Sequence, residues 1–178
     1  MPTRPWAIAV MAMLMIAVNV GFYLLPFDYR GLGDYAIAGV FALTAIATAT
    51  IVVPVPYIPI VIHLAQQSTH PRDLVLIALA AGLGSVVGET SGYLVGRAGS
   101  SAVSDTRMAR WVAEQMTHPV RSFVTLFALS APPNPLFDVA GMAAGAFRVP
   151  FWRFASAVCA GRCVRMAGII LVGLWLPG

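Results

Sequence analysis

Residues 35–71 run for 37 positions without a charged side chain, and the middle of the run reads Val53-Pro54-Val55-Pro56-Tyr57-Ile58-Pro59. A helix crossing bilayer hydrocarbon uses about 20 residues. The run is too long for one crossing and short for two with a turn. Three prolines in six positions also stop a helix, because proline lacks the amide hydrogen and clashes with the preceding turn. A re-entrant hairpin satisfies both constraints: one half-helix enters, the chain turns at the prolines, and a second half-helix returns. Non-helical backbone at membrane depth survives only where it is buried in protein or lines a wet cavity. The turn is therefore expected to face something other than lipid.

Lipid as the solvent follows from composition. Hydrophobic residues make up 59% of the 178 positions, charged residues 10%, and the mean hydropathy is +0.82. A soluble domain carries about 25% charged residues. These values exclude a soluble enzyme, an acidic disordered protein and a disulfide-stapled secreted module. The eleven basic residues are all Arg and are scattered between apolar segments, which speaks against nucleic acid as a partner. Cys159 and Cys163 fall four apart in an apolar stretch, poor geometry for a disulfide and too few ligands for a metal. Neither a metal nor a cofactor is expected.

Residues 6–25 are uncharged and lack a small-x-small cleavage site, so they read as a retained first transmembrane helix. Residues 74–96 form the next full crossing, with Gly84, Gly88, Gly92 and Gly96 at four-residue spacing and read as one close-packing seam. Residues 100–121 are polar, and Arg107, Arg110, Trp111, Glu114 and Met116 fit a short interfacial helix. Residues 122–147 repeat the broken hairpin around Pro132-Pro133-Asn134-Pro135, and residues 154–176 make the last crossing. The expected domains are 1–34, a transmembrane helix and loop, and 35–178, divided into repeat one (35–99), a linker (100–121) and repeat two (122–178).

Laying 79–96 on 156–173 matches Ala80 with Ala157, Gly84 with Gly161, Val87 with Val164, and Leu94-Val95-Gly96 with Leu171-Val172-Gly173. A hairpin returns to its own side and the next helix crosses, so the second unit starts from the opposite face. The expected fold is all-α and integral to the membrane: an inverted repeat of two re-entrant hairpins, each followed by a transmembrane helix, after one N-terminal helix. Seven arginines (4, 97, 107, 110, 121, 148, 153) fall on the N-terminal side and two (30, 72) on the other. The positive-inside rule then makes the N-terminus cytoplasmic.

Ionisable groups inside a bilayer are costly and mark function. Glu89, Asp138, Arg162 and Arg165 qualify. Glu89, Tyr93 and Arg97 share one helical stripe. Glu89 and Arg97 lie about 12 Å apart by helix rise, so Tyr93 or water is expected to bridge them. Asn134 and Pro135 suit an N-cap and first helical position, and the first hairpin starts its return near Pro56. Two helix N-termini near the midplane suit an anionic group, with Arg162 and Arg165 adding charge. Asp138 would repel an anion unless Arg162 neutralises it or it is protonated, which would couple anion movement to a proton. His63 reads as a packing residue. With no nucleophile–base pair, metal cluster or phosphate loop, an intramembrane enzyme is not expected.

The segment Gly88-Glu89-Thr90-Ser91-Gly92-Tyr93-Leu94-Val95-Gly96-Arg97 resembles the G-[DE]-x-x-x-Y-x-x-G-R motif of the DedA family, also called the VTT or SNARE-associated Golgi family. Pro133-Asn134-Pro135-Leu136-Phe137-Asp138-Val139-Ala140-Gly141, with Val149-Pro150-Phe151-Trp152 and Gly161-Arg162, is similar to its vacuole membrane protein-like branch. The resemblance covers residues 36–176 and implies movement of lipids between leaflets, either phospholipid scrambling or translocation of polyprenyl-phosphate lipid in a bacterial plasma membrane. It matches Glu89 and Asp138 to acidic positions and Arg162 to a basic one. Residues 123–132 carry none of the arginines that many bacterial members have there.

The expected site thus comprises Asn134, Pro135, Arg162, Arg165 and Pro56 for an anionic head group. Glu89 and Asp138 would handle protons, supported by Tyr93, Arg97, Gly88 and Gly141. Membrane lipids are the expected partners, with self-association into a homo-oligomer left open. The alternatives are a proton-coupled exporter of a small solute and a non-transporting assembly protein.

Overall fold

A computed structural model of the chain describes residues 33, 35–49, 56–99, 107–132 and 136–175, together with 13, 16, 17, 20, 21 and 24. Those last six, within the expected first crossing, are helical, and the rest of that segment lies outside the described residues. The remaining described chain is helical: α1 Tyr35–Ala49, α2 Tyr57–Gln67, α3 Pro71–Ala98, α4 Arg107–Met116, α5 Pro119–Ser130, α6 Leu136–Ala146 and α7 Phe151–Gly173. The protein is an all-α membrane protein. At 28 and 23 residues, α3 and α7 are long and apolar enough to cross a bilayer, whose hydrocarbon is about 30 Å thick. The 11 residues of α2 or α6 reach only about 17 Å.

Proline chemistry sets the starts of the helices. His70-Pro71 opens α3 and His118-Pro119 opens α5, each His extended (φ −118° and −110°) and each proline in the first turn. A residue before proline is pushed out of the helical region, and proline at N1 sacrifices an amide that has no helical partner anyway. The helices therefore begin a few residues before the expected 74 and 122, and α7 begins at Phe151, after Pro150, rather than at 154.

The crossing helices face lipid with large apolar side chains, Val75, Leu79, Leu83 and Val87 on α3 and Val164, Leu171 and Val172 on α7, all more than half exposed or nearly so. They face each other and the short helices with small ones. Lipid is as apolar as leucine, so helix association rests on close packing rather than on a hydrophobic drive. A Cβ on Gly84 would collide with the Phe41 carbonyl and Thr44 hydroxyl of α1, and one on Gly88 with the Ala45 carbonyl and Thr48 hydroxyl. One on Gly96 would strike the Met142 carbonyl of α6, whereas one on Gly92 meets nothing within 4 Å. The expected single seam is thus two seams, on α1 and on α6, with Gly92 between them. Four residues make slightly more than a 3.6-residue turn, so each step precesses by about 40°. Four such glycines cannot share one partner along a straight helix.

On α7, Gly161 seats on the Phe127 carbonyl and Ser130 hydroxyl of α5, and Gly173 on Ile62 of α2. So α1 packs on α3 and α5 on α7, while α2 packs on α7 and α6 on α3. Two cores result. One is aliphatic, built on Val40, Val61, Leu64, Ile77, Met166 and Ile170. The other is partly aromatic, built on Tyr93, Leu126, Phe137, Val149 and Phe154. Val112 and Met116 of α4 enter the second core while Trp111 stays exposed.

Candidate functional site

Glu89 lies in the inner half of α3 and Arg162 at the middle of α7. The two helices cross here, and the Arg162 Nη2 donates to Glu89 Oε1 as an ion pair. The residues are 6% (Arg162) and 8% (Glu89) exposed, so neither charge is held by bulk water. The ring of Phe137, near the start of α6, lies 4.7 Å below the Arg162 guanidinium, within cation–π range. Asp138, in the first turn of α6, is exposed, and its charge acts on both members of the pair. Arg165 adds a second, half-buried guanidinium one turn along α7. Two carboxylates and two guanidiniums thus form a formally neutral cluster beside the start of α6.

The cluster is not fully satisfied. Among the described residues, Arg162 Nε and Arg165 Nε are buried without a hydrogen-bond partner. An orphaned buried donor costs about 1–3 kcal/mol. Beside it, Thr48, Glu89, Ser91, Gly92, Asp138 and Met142 enclose a cavity of about 10 Å³, room for about one water.

The expected site residues divide accordingly. Glu89, Asp138, Arg162 and Arg165 come together. Asn134 and Pro135 lie outside the described residues, and α6 begins directly after them at Leu136. Pro56 is the half-buried N-cap of α2.

Arg162 pairs with Glu89 rather than with Asp138. Tyr93 does not bridge Glu89 to Arg97. Its hydroxyl donates to the Val149 carbonyl at 2.7 Å and accepts from Arg97 Nη1 at 3.0 Å. The stripe therefore splits, its end clamping α3 to the α6–α7 turn, with Gly145 seated on the Tyr93 carbonyl. Gly88 is a close-approach position. At Gly141 a Cβ would make only an ordinary 3.9 Å contact with Phe154, so packing does not require glycine there. His63 Nδ1 lies 3.0 Å from the Pro59 carbonyl on its own helix, a local contact. Cys163 packs on Gly82, and both cysteines are free thiols.

Sequence reasoning missed Phe137. The available signal was position: it sits in the first turn of a helix expected to start at the site.

The family model of the VTT domain matches residues 55–174. The chain is 32% identical over 111 residues to vacuole membrane protein KMS1 of Arabidopsis thaliana, half of this chain and 26% of that protein. It is 29% identical over 116 residues to the vacuole membrane protein 1 homolog of Dictyostelium discoideum, covering 52% and 29%. With vacuole membrane protein 1 of Homo sapiens it shares 30% over 104 residues, covering 47% and 26%. The matched region is thus little more than a quarter of each relative's length. No solved structure matches the chain. With the domain match running from the start of α2 to the end of α7 and taking in the charge cluster between α3 and α7, the chain belongs to the VTT domain family.

Proposed function

We propose that this protein moves lipid between leaflets, carrying the head group of a phospholipid or polyprenyl-phosphate lipid past a polar site while the tails stay in the hydrocarbon. The observation that carries the reading is the buried Glu89–Arg162 pair where α3 meets α7, with half-buried Arg165 and exposed Asp138 beside it and two guanidinium Nε donors unpartnered among the described residues. Groups of this kind inside a membrane are retained for function. An anionic head group would satisfy the orphaned donors. Arg162 and Arg165, helped by Asn134, Pro135 and the Pro56 turn, meet its phosphate, and Glu89 and Asp138 hold or release a proton as it passes. No bond is made or broken, so the protein acts as a carrier and not as an enzyme.

The crossed packing, α2 on α7 and α6 on α3, supports an inverted pair of re-entrant hairpins. So does the pairing of Gly84 with α1 and of Gly161 with α5. The ends of the described helices bear Arg97, Arg110, Arg121, Arg148 and Arg153 on one side and Arg72 on the other, which supports a cytoplasmic N-terminal side. The relatives are named for the vacuole membrane and the resemblance also reaches bacterial plasma-membrane carriers. The proposed chemistry is the same in either membrane. The cavity beside the cluster, about 10 Å³, favours a head group sliding past an exposed Asp138 over an occluded small solute.

Scrambling in proteoliposomes tests this. Fluorescent phospholipid is bleached from outside, comparing wild type with Asp138→Asn and Arg162→Ala. Wild type is expected to expose inner-leaflet lipid, and each variant to lose at least tenfold in rate. An inert wild type overturns scrambling of ordinary phospholipid and turns the search to polyprenyl phosphate or a soluble solute. Full activity in a charge-swapped Glu89→Arg, Arg162→Glu protein would instead assign the charges to assembly.

A further inference from the structure

At the end of the molecule where α3 begins lies a second cleft, remote from the charge cluster. It has a volume of about 670 Å³ and is formed between the start of α1, the end of α2 and the first turns of α3. Its size is in the range of small-molecule sites. The lining is divided. Ala36, Ile37, Leu64 and Ile77 make an apolar floor continuous with the aliphatic core, and Arg72 and Asp73 stand at the rim with Thr69. Arg72 is exposed and Asp73 half-buried, and neither side chain has an ion-pair partner among the described residues. Tyr35, 81% exposed, adjoins the cleft, and Trp175, 90% exposed, ends α7 on the same side. Exposed Tyr and Trp at helix ends mark head-group depth.

We propose that this cleft binds the head group of an amine-bearing zwitterionic phospholipid, of the phosphatidylethanolamine class. A cation and an anion on successive residues match a phosphate and an ammonium joined by a short linker. Arg72 donates to the phosphate oxygens and Asp73 accepts from the ammonium. The apolar floor, lying toward the membrane interior, takes the glycerol and the roots of the acyl chains. A free phosphate would use Arg72 alone and leave that floor empty, and an anionic head group would meet Asp73 unfavourably. The inference rests on this end lying at the bilayer surface and not on lipid transfer.

The test uses the full chain in phosphatidylcholine nanodiscs carrying trace spin-labelled phosphatidylethanolamine or phosphatidylglycerol, reading the motionally restricted fraction of each. Wild type is expected to hold the ethanolamine lipid several-fold more than the glycerol lipid. Asp73→Asn is expected to lower that preference at least threefold, and Arg72→Gln to lower retention of both lipids. Unchanged thermal unfolding of both rim variants establishes that they fold. No preference in wild type, or a preference indifferent to Asp73, overturns the proposal. So does a preference that follows Arg162→Ala while ignoring the rim, since the lipid is then held at the central cluster. A protein that does not scramble yet keeps the Asp73-dependent preference overturns lipid transfer and leaves this site standing; scrambling without the preference does the reverse.

Discussion

The two halves of the molecule pack by the same rule and fill the result with different chemistry. Gly84 on α3 seats against the carbonyl of Phe41 and the hydroxyl of Thr44, and Gly161 on α7 seats against the carbonyl of Phe127 and the hydroxyl of Ser130. In each case the hydroxyl, three residues on, bonds back to that same carbonyl. Gly96 and Gly173, twelve residues further along each helix, meet short helices of the opposite half, Gly96 at Met142 of α6 and Gly173 at Ile62 of α2. Yet the core between α1, α2 and the α7 end is aliphatic, and the core between α4, α5, α6 and the α7 start holds Tyr93, Phe137 and Phe154. By the same alignment, Glu89 corresponds to Met166 and Arg162 to Ser85. Met166 and Ser85 are fully buried, and Ser85 donates only to Ala81 of its own helix. The glycine seats recur in both halves, whereas among the described residues the charge pair occurs once. A device needed only to hold the halves together would be expected at both equivalent places.

The largest effect should come from breaking the pair. Glu89→Ala or Arg162→Ala leaves one buried charge uncompensated, and about 3–5 kcal/mol of stability should be lost, read by unfolding in mixed micelles. Making the two places alike is more informative. Glu89→Met with Arg162→Ser copies the other half, and well-packed replacements of a buried pair are often neutral. This double variant should unfold within about 1 kcal/mol of wild type and still lose lipid movement. Retained movement would assign the pair to assembly.

Next come the shared seats. Gly84→Leu and Gly161→Leu each force side chains into a neighbouring backbone, so each should cost about 1–3 kcal/mol, and by similar amounts. A large difference in their unfolding midpoints would break the equivalence of the halves. The clamp ties α3 of the first half to the α6–α7 turn of the second. Tyr93→Phe removes the donor to the Val149 carbonyl and the acceptor for Arg97, and should cost about 1–2 kcal/mol, visible as faster hydrogen exchange at the α6–α7 turn.

The smallest effect is a gain. Arg148 follows α6 with φ +52°, its amide donating to the Gly145 carbonyl and that of Val149 to the Ala144 carbonyl. This is a helix C-cap geometry that glycine adopts freely. Arg148→Gly should stabilise by about 0.5–1 kcal/mol, as a small rise in Tm.

Much of this molecule is determined locally. Excess apolar composition selects lipid as solvent, prolines at 56, 71, 119 and 150 set where helices start, and small residues mark where helices come close. Each of these depends on a few neighbouring residues and on the solvent, so each is legible in one dimension. What the tertiary structure decided is partnership. Which carboxylate Arg162 pairs with depends on the register at which α3 and α7 cross, two segments 73 positions apart. The same holds for the division of four evenly spaced glycines between α1 and α6, and for Tyr93 turning to Val149 instead of Glu89. Spacing along a helix states which face a side chain occupies. Only the packed neighbours state what that face meets, because the contact energies that choose among partners exist only once the helices are side by side.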